Sequence, residues 1–531
     1  MINTSIHRAR ERLIRIANDR RLLELARQVR RVEPDPGRKP VIFFNASTRL
    51  GGISQNAGFA TLAAMALRLR GVPVHFFACE RGLHRCTLGA LMKGPQRPPP
   101  CRTCVDQAET LFAAAPVHWF SFRSDSGLTA ALAGKAVPEL EIFEHDGFPL
   151  GALTLPSMRW SLRRHHLEDD AITRSLFRSF IQSALGVIRT FDRLLAEIEP
   201  QTVVVFNGIA YPEAAARWTA LRRGIRVVTH EVAHQPMTAY FTDGHVTAYP
   251  VKIPPEFELD AAQNDRLDAY LENRFRGQVS MAGMDFWPEM KGLDPALVEQ
   301  IAAHRQLVPV FTNVVFDTSQ VHANVLFDNM FAWLDQVLGL IRSHPETLFV
   351  IRAHPDELRP KSRKQAVEKV DDWVARNGVR DLPNVVYIPP LEYFSSYELV
   401  RQARFVMVYN STIGLEAALM GKPVLNGGKA RYTQVECVHL PGSAEAHLRM
   451  AEEFLAAETL DGPPGFVRNA RRFQYYQLWR TPIPFDEFLS PHRTLGYVNV
   501  KPFPVEALLE SIAIKIVSDG ILGEGDFLMP E

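Results

Sequence analysis

Three side chains stand where apolar runs give way to polar turns: His354, Ser411 and Thr412. Residues 348–352 lead into Ala353-His354-Pro355-Asp356-Glu357, and residues 405–409 lead into Asn410-Ser411-Thr412-Ile413-Gly414. An imidazole ahead of a proline is held on extended backbone, so it is aimed rather than swept into a helix. Asn410, Ser411 and Thr412 can cap the helical pattern over 415–420, and Gly414 lets backbone and ligand approach closely. A helix N-terminus offers free N–H groups and partial positive charge to an anion. The chemistry suits a phosphate or diphosphate. Taken singly, each turn is also an ordinary cap or strand end; the pairing of the two favours a ligand site.

For the two turns to act together, the runs that carry them must be neighbouring parallel strands. Short apolar runs alternating with helices predict such a sheet, and ligands of such sheets lie beyond the carboxyl ends of the strands. Gly421 and Pro423 stop the helix, and Val424-Leu425 begins a third strand. The first half repeats the alternation. It runs through a strand over 40–44, a glycine-containing turn over 45–52, a helix over 60–68 and a strand over 72–77. A strand over 202–206 then ends at Asn207-Gly208, and one over 227–229 leads into His230-Glu231. The turn does not match Gly-x-Gly-x-x-Gly, so no dinucleotide is implied. The prediction is an α/β protein of two Rossmann-like domains facing a cleft, with an N-terminal amphipathic helix. Glu231, at a strand end, can act as general base on an acceptor hydroxyl; the alternative is a hydrated loop carboxylate. Asp146, in Glu144-His145-Asp146-Gly147, is a second acid–base candidate.

At 531 residues the chain exceeds the roughly 250–300 residues at which single cores stop growing. The expected divisions are 1–38, a basic helix and linker; 39–250, a first Rossmann-like domain with a Cys-rich insertion; 251–480, a second Rossmann-like domain; and 481–531, a tail. A 46% apolar and 22% charged composition is globular, and a net charge of +1 argues against nucleic acid. No apolar run reaches 18 residues and no signal core is present, so the expected location is cytoplasmic. Residues 5–32 read as a helix with Ile6, Leu13, Ile16, Leu23, Ala26 and Val29 at helical spacing. Nine arginines, Arg8 to Arg31, stand against Glu11, Asp19 and Glu24. Such a helix either docks on its own domain or lies on an anionic membrane surface, peripheral on the inner face. Arg159, Arg163, Arg164, His165 and His166 read as a solvated basic helix face; the alternative is a basic patch that faces an anionic ligand.

Cys79, Cys86, Cys101 and Cys104 cluster around His84, the last pair as Cys-x-x-Cys after Pro98-Pro99-Pro100. Three readings are open: one structural Zn²⁺, free or redox thiols, or an iron–sulfur cluster.

The order strand–His354-Pro355-Asp356, then Ser411-Thr412-x-Gly414-x-Glu416-Ala417-x-x-x-Gly421-Lys422-Pro423-Val424, resembles the nucleotide-sugar half of GT-B glycosyltransferases. Within these it is similar to bacterial capsule and surface polysaccharide transferases, including those that add Kdo from CMP-Kdo. The resemblance covers residues 308–430 well and the remainder in layout only. It implies that His354, Ser411 and Thr412 hold the donor phosphate and Glu416 the ribose or base edge, with Gly414, Asn313 and Lys422 in the donor-binding set. It also implies a CMP-, UDP- or GDP-linked donor, a saccharide acceptor and no metal for transfer, with 39–250 as the acceptor domain, 251–480 as the donor domain and 481–531 as a tail crossing back to the first domain. The segment Phe311-Thr312-Asn313-Val314-Val315-Phe316-Asp317 replaces the Gln-Val-x-x-Asp-like segment common in the Kdo enzymes, so the donor stays open. The alternatives are a nucleotide-sugar epimerase of the same architecture and a non-catalytic scaffold of a polysaccharide assembly complex.

Overall fold

The computed structural model describes residues 2–45, 52–86, 99–247, 250–276, 280–281, 284–285, 291–358 and 365–531. Turn residues 46–51, Pro98, Tyr249 and the side chains of Ile6 and Arg8 lie outside the described residues. The chain forms two compact units. The first is Met1–Ser161, Leu167–Tyr249 and Trp479–Glu531; the second is Leu162–His166 and Pro250–Leu478. Both are Rossmann-like.

In the first unit, helix α1 (Ile2–Val29) precedes β1 (Val41–Asn45), α2 (Gln55–Leu69), β2 (Val74–Cys79), α3 (Cys101–Leu111) and β3 (Val117–Phe120). Then come β4 (Thr202–Phe206), β5 (Arg226–Val232) and β6 (Thr238–Thr242). The sheet order is β6-β5-β4-β1-β2-β3, with Ile483–Pro484 on the outside of β6. β1 to β5 are parallel and β6 is antiparallel. The central strands are apolar throughout because helices cover both faces of a parallel sheet. α2 starts where Ser54 Oγ accepts the Ala57 N–H at 3.2 Å, and it is buried along most of its length. Helix Ile512–Leu522 closes the same core through Ile514, Val517 and Ile521.

The packed face of α1 differs from the expected stripe. Leu22, Leu25, Ala26 and Val29 enter the core, whereas Leu13, Ile16 and Leu23 are exposed. Polar tethers fix the rotation of the helix: Asn18 Oδ1 accepts the Val500 N–H at 3.0 Å, and Arg21 donates to the Val500 carbonyl at 2.6 Å. Among the described residues no helix is long and apolar enough to cross a membrane.

The second unit contains α4 (Ala261–Phe275), β7 (Gln306–Phe311), α5 (Met330–Ser343), β8 (Thr347–Arg352), β9 (Val385–Ile388), β10 (Val406–Val408), α6 (Ile413–Leu419) and β11 (Val424–Asn426). All five strands are parallel, in the order β9-β8-β7-β10-β11. α5 starts at Met330 because the Asn329 side chain accepts the N–H groups of Phe331 and Ala332 and caps it there. Residues Leu162–His166 also belong here. They are not a solvated face: Arg163 and His165 are buried. The Arg163 guanidinium lies 5.0 Å from the Phe316 ring. Glu368 accepts the N–H groups of His165 and His166 at 2.8 and 3.0 Å.

Candidate functional site

In the second unit the strand order reverses between β7 and β10, and such a switch point opens a crevice at the carboxyl ends of the strands. Phe311 and Thr312 leave β7 there, Arg352-Ala353-His354 leave β8, and Asn410-Ser411-Thr412 follow β10. Thr312 donates its N–H and its hydroxyl to the Arg352 carbonyl at 3.2 and 3.1 Å, which ties two of the turns together. The Tyr409 N–H donates to the Phe311 carbonyl at 3.1 Å and ties in the third. A cavity of about 110 Å³ lies among them, lined by Arg274, Thr312, Arg352, His354, Tyr397, Ser411, Thr412 and Glu416.

The cavity is electropositive. Arg352 is 3% exposed; burial lowers its pKa to about 10, with the Glu392 charge offsetting part of the effect. Its guanidinium donates to the Glu392 carbonyl at 3.3 Å, and among the described residues it has no carboxylate ion pair. His354 Nδ1 accepts the Asp356 N–H at 3.1 Å, which puts the proton of the neutral ring on Nε2. Ser411 is buried and Thr412 exposed.

The remaining expected residues divide. Glu416 reaches the cavity already engaged: Oε1 accepts from Arg274 Nε at 2.6 Å and Oε2 from the Tyr397 hydroxyl at 3.0 Å. Thr412 is the N-cap residue, yet its side chain makes no cap hydrogen bond. Gly414 is required by the protein's own packing. A Cβ there would sit 2.2 Å from the Tyr432 hydroxyl, which itself donates to the Ser411 carbonyl at 2.8 Å. α6 is only seven residues long, so Arg352, more than a helix dipole, supplies the positive charge. Asn313 is outside the lining; its amide donates to Asn410 Oδ1 at 2.7 Å and supports the turn from behind. Lys422, past the far end of α6, donates to the Ala403 carbonyl at 3.0 Å. Arg274, Arg352 and Tyr397 were not anticipated. Arg352 carried a signal, a charge ending a fully apolar strand, whereas Arg274 lies in a polar helix with none.

Behind the His-Pro turn, Glu357 is 1% exposed. Its Oε1 accepts the Val370 N–H at 2.8 Å and Oε2 has no partner among the described residues. Burial raises its pKa to about 8. A carboxyl raised in the fold stabilises fully below its unfolded pKa and loses that stabilisation as pH rises towards the folded value. The parent should therefore lose about 1.4 kcal/mol per pH unit relative to Glu357→Gln between pH of about 5 and about 8. Urea unfolding at three pH values measures this, and parallel curves for parent and variant would refute it.

In the first unit Glu231 lies near the end of β5. Its Oε1 accepts from Asn56 Nδ2 at 3.0 Å and from the Val232 N–H at 2.9 Å, and its Oε2 accepts from Asn207 Nδ2 at 2.9 Å. Asp146 has other partners. It sits in a two-residue turn closed by hydrogen bonds between His145 and Phe148, with positive φ at Asp146 and Gly147, and its exposed carboxylate pairs with Arg189 at 2.8 Å. This geometry makes Asp146 a turn and ion-pair residue. Cys79 ends β2, Cys86 follows in the next loop, and Cys101 and Cys104 open α3. Among the described residues none of the four forms a disulfide. Cys79 Sγ accepts the Gly82 N–H at 3.1 Å, and its thiol is pushed up to about 12 by burial, with Cys104 and Cys101 adding to the effect. Among the described residues no group of three or more His, Cys, Asp or Glu side chains is arranged to hold a metal ion.

Comparison with known proteins places residues 294–437 in a match to the family described as capsule polysaccharide biosynthesis protein. Protein FixF of Sinorhizobium fredii is 26% identical over 239 residues, covering 43% of this chain and 49% of that protein; the chain thus spans about half the length of this curated relative. Among solved structures, the β-Kdo 2,4 transferase of Thermosulfurimonas dismutans KpsC is 10% identical with a TM-score of 0.35, covering 57% of this chain and 84% of that one. The UDP-GlcNAc 2-epimerase of Neisseria meningitidis, bound to UDP-GlcNAc, is 11% identical with a TM-score of 0.25, covering 83% and 99%.

Proposed function

We propose that this chain is a glycosyltransferase of capsule polysaccharide biosynthesis, moving a sugar from a nucleotide-activated donor to a saccharide acceptor. The observation that carries the reading is the Arg352 guanidinium. It is 3% exposed, has no carboxylate ion pair among the described residues, and lines one small cavity with His354 and Ser411. A buried, unneutralised cation is costly unless an anion completes it. The family match over 294–437 spans the proposed phosphate-binding residues Arg352, His354 and Ser411.

In transfer, the bond from the anomeric carbon to the phosphate oxygen breaks, a bond to the acceptor oxygen forms, and the acceptor hydroxyl loses its proton. Negative charge grows on the leaving phosphate, where Arg352, His354 Nε2–H and the Ser411 hydroxyl can receive it. Glu231 is the candidate base for the hydroxyl proton. Glu416 and Arg274 form the wall of the donor pocket, their charges mutually neutralised.

Calorimetric titration with CMP, UDP and GDP tests the donor half. One of the three should bind, and Arg352→Ala should weaken it by at least tenfold, the loss expected for a charge-assisted hydrogen bond of about 1.5–3 kcal/mol. Absence of binding to all three would sink the reading and favour a scaffold. A sugar that is epimerised in the absence of acceptor would assign the epimerase instead.

A further inference from the structure

Each sheet reverses its strand order once. In the second unit the reversal carries the electropositive cavity; in the first it falls between β1 and β4, and the donor reading leaves it unused. Three adjacent strand ends meet there. Asn45 ends β1, Asn207 follows β4, and the pairing of Phe206 with His230 brings Asn207 beside Glu231. Asn56, in the first turn of α2, completes the set by donating to Glu231.

Two of the asparagines are half used. Asn56 and Asn207 spend an amide N–H on the Glu231 carboxylate. Asn56 Oδ1, Asn207 Oδ1 and Asn45 Nδ2 are all buried with no hydrogen-bond partner among the described residues. Buried polar atoms without partners are rare in native proteins, and each costs about 1–3 kcal/mol. The backbone is also unusual at this point. Asn207 is 5% exposed with φ of 57°, and Gly208 follows at 77°, a left-handed pair that turns the chain sharply at the strand end. Beside Gly208, Arg217 has a buried Nε without a hydrogen-bond partner among the described residues. Unpaired acceptors, an unpaired amide donor and one carboxylate at a switch point are what a sugar hydroxyl needs, since each hydroxyl gives one hydrogen bond and accepts others.

We propose that the switch point of the first unit is a saccharide-hydroxyl site. Asn56 and Asn207 are positioning residues that fix the Glu231 carboxylate, and their carbonyl oxygens, with the Asn45 amide, take hydroxyls of the acceptor sugar. This rests on the glycosyltransferase reading and adds the residues that select and orient its acceptor.

The test uses the full chain with octyl galactoside, octyl mannoside and octyl Kdo as probes, followed by saturation-transfer NMR. Asn207→Gly is the informative variant, because glycine keeps the positive φ and loses only the amide; Asn56→Ala is the second. The parent should saturate the ring protons of at least one glycoside. Both variants should bind it at least tenfold more weakly, as expected when a buried hydroxyl partner is removed, while nucleotide affinity and thermal midpoint stay at parental values. Glu231→Gln should keep glycoside binding and lose turnover. Lack of saturation with all three glycosides, or parental affinity in both asparagine variants, overturns the proposal. Failure of the donor reading shows separately, as a parent that binds glycoside but no nucleotide.

Discussion

His354→Ala is expected to lower turnover by about 10²–10³-fold, the loss typical of removing one hydrogen-bond donor from a site where charge develops. The reason is local. Nδ1 is occupied by the Asp356 N–H, so the donor of the neutral ring is Nε2, and the residue lines the cavity with Arg352 and Ser411. Ser411→Ala should act in the same direction. Neither substitution opens a core cavity, and changes outside the core usually stay within about 0.5 kcal/mol. The decisive measurement is a product assay beside thermal unfolding. Parental turnover in His354→Ala would reduce the His-Pro turn to an ordinary strand end. A large drop in thermal midpoint would make the lost turnover a folding effect.

Glu416→Ala should be the most destabilising single change at the site. It leaves the Arg274 guanidinium largely buried without its carboxylate, where the pair now meets at 2.5 Å with side chains 20% and 9% exposed. It also strands the buried Tyr397 hydroxyl. Removing one member of a buried pair costs about 3–5 kcal/mol. Replacing both, as Arg274→Met with Glu416→Leu, should recover most of that loss, because no uncompensated charge remains. Denaturant midpoints of the two single variants and the double variant give the coupling. Additive losses would mean that the pair is not an energetic unit and that Glu416 is available to hold a ribose.

Much of this was open to the sequence, because parallel strands covered on both faces must be continuous apolar runs. Val41–Asn45, Thr202–Phe206 and Thr347–Arg352 announce themselves in that way, and their polar ends mark the edge of the sheet at which a crevice opens. His354 and Ser411 were therefore legible as a pair before any coordinates. Local periodicity says nothing, however, about which side chain meets which across the chain. Arg274 and Glu416 are 142 residues apart, and Asn56 and Glu231 are 175 apart; only the tertiary structure brings them together. The same limit applied to Gly414, where a Cβ would meet Tyr432. It applied to α1 as well, where the 3.6-residue spacing predicted a helix but tethers at Asn18 and Arg21 chose the buried face. Sequence thus determined the elements and the ends at which chemistry lies, since strand burial is written in consecutive residues. The tertiary structure decided the partners, the neutralised charges and the unpaired buried atoms, since those depend on contacts between distant segments.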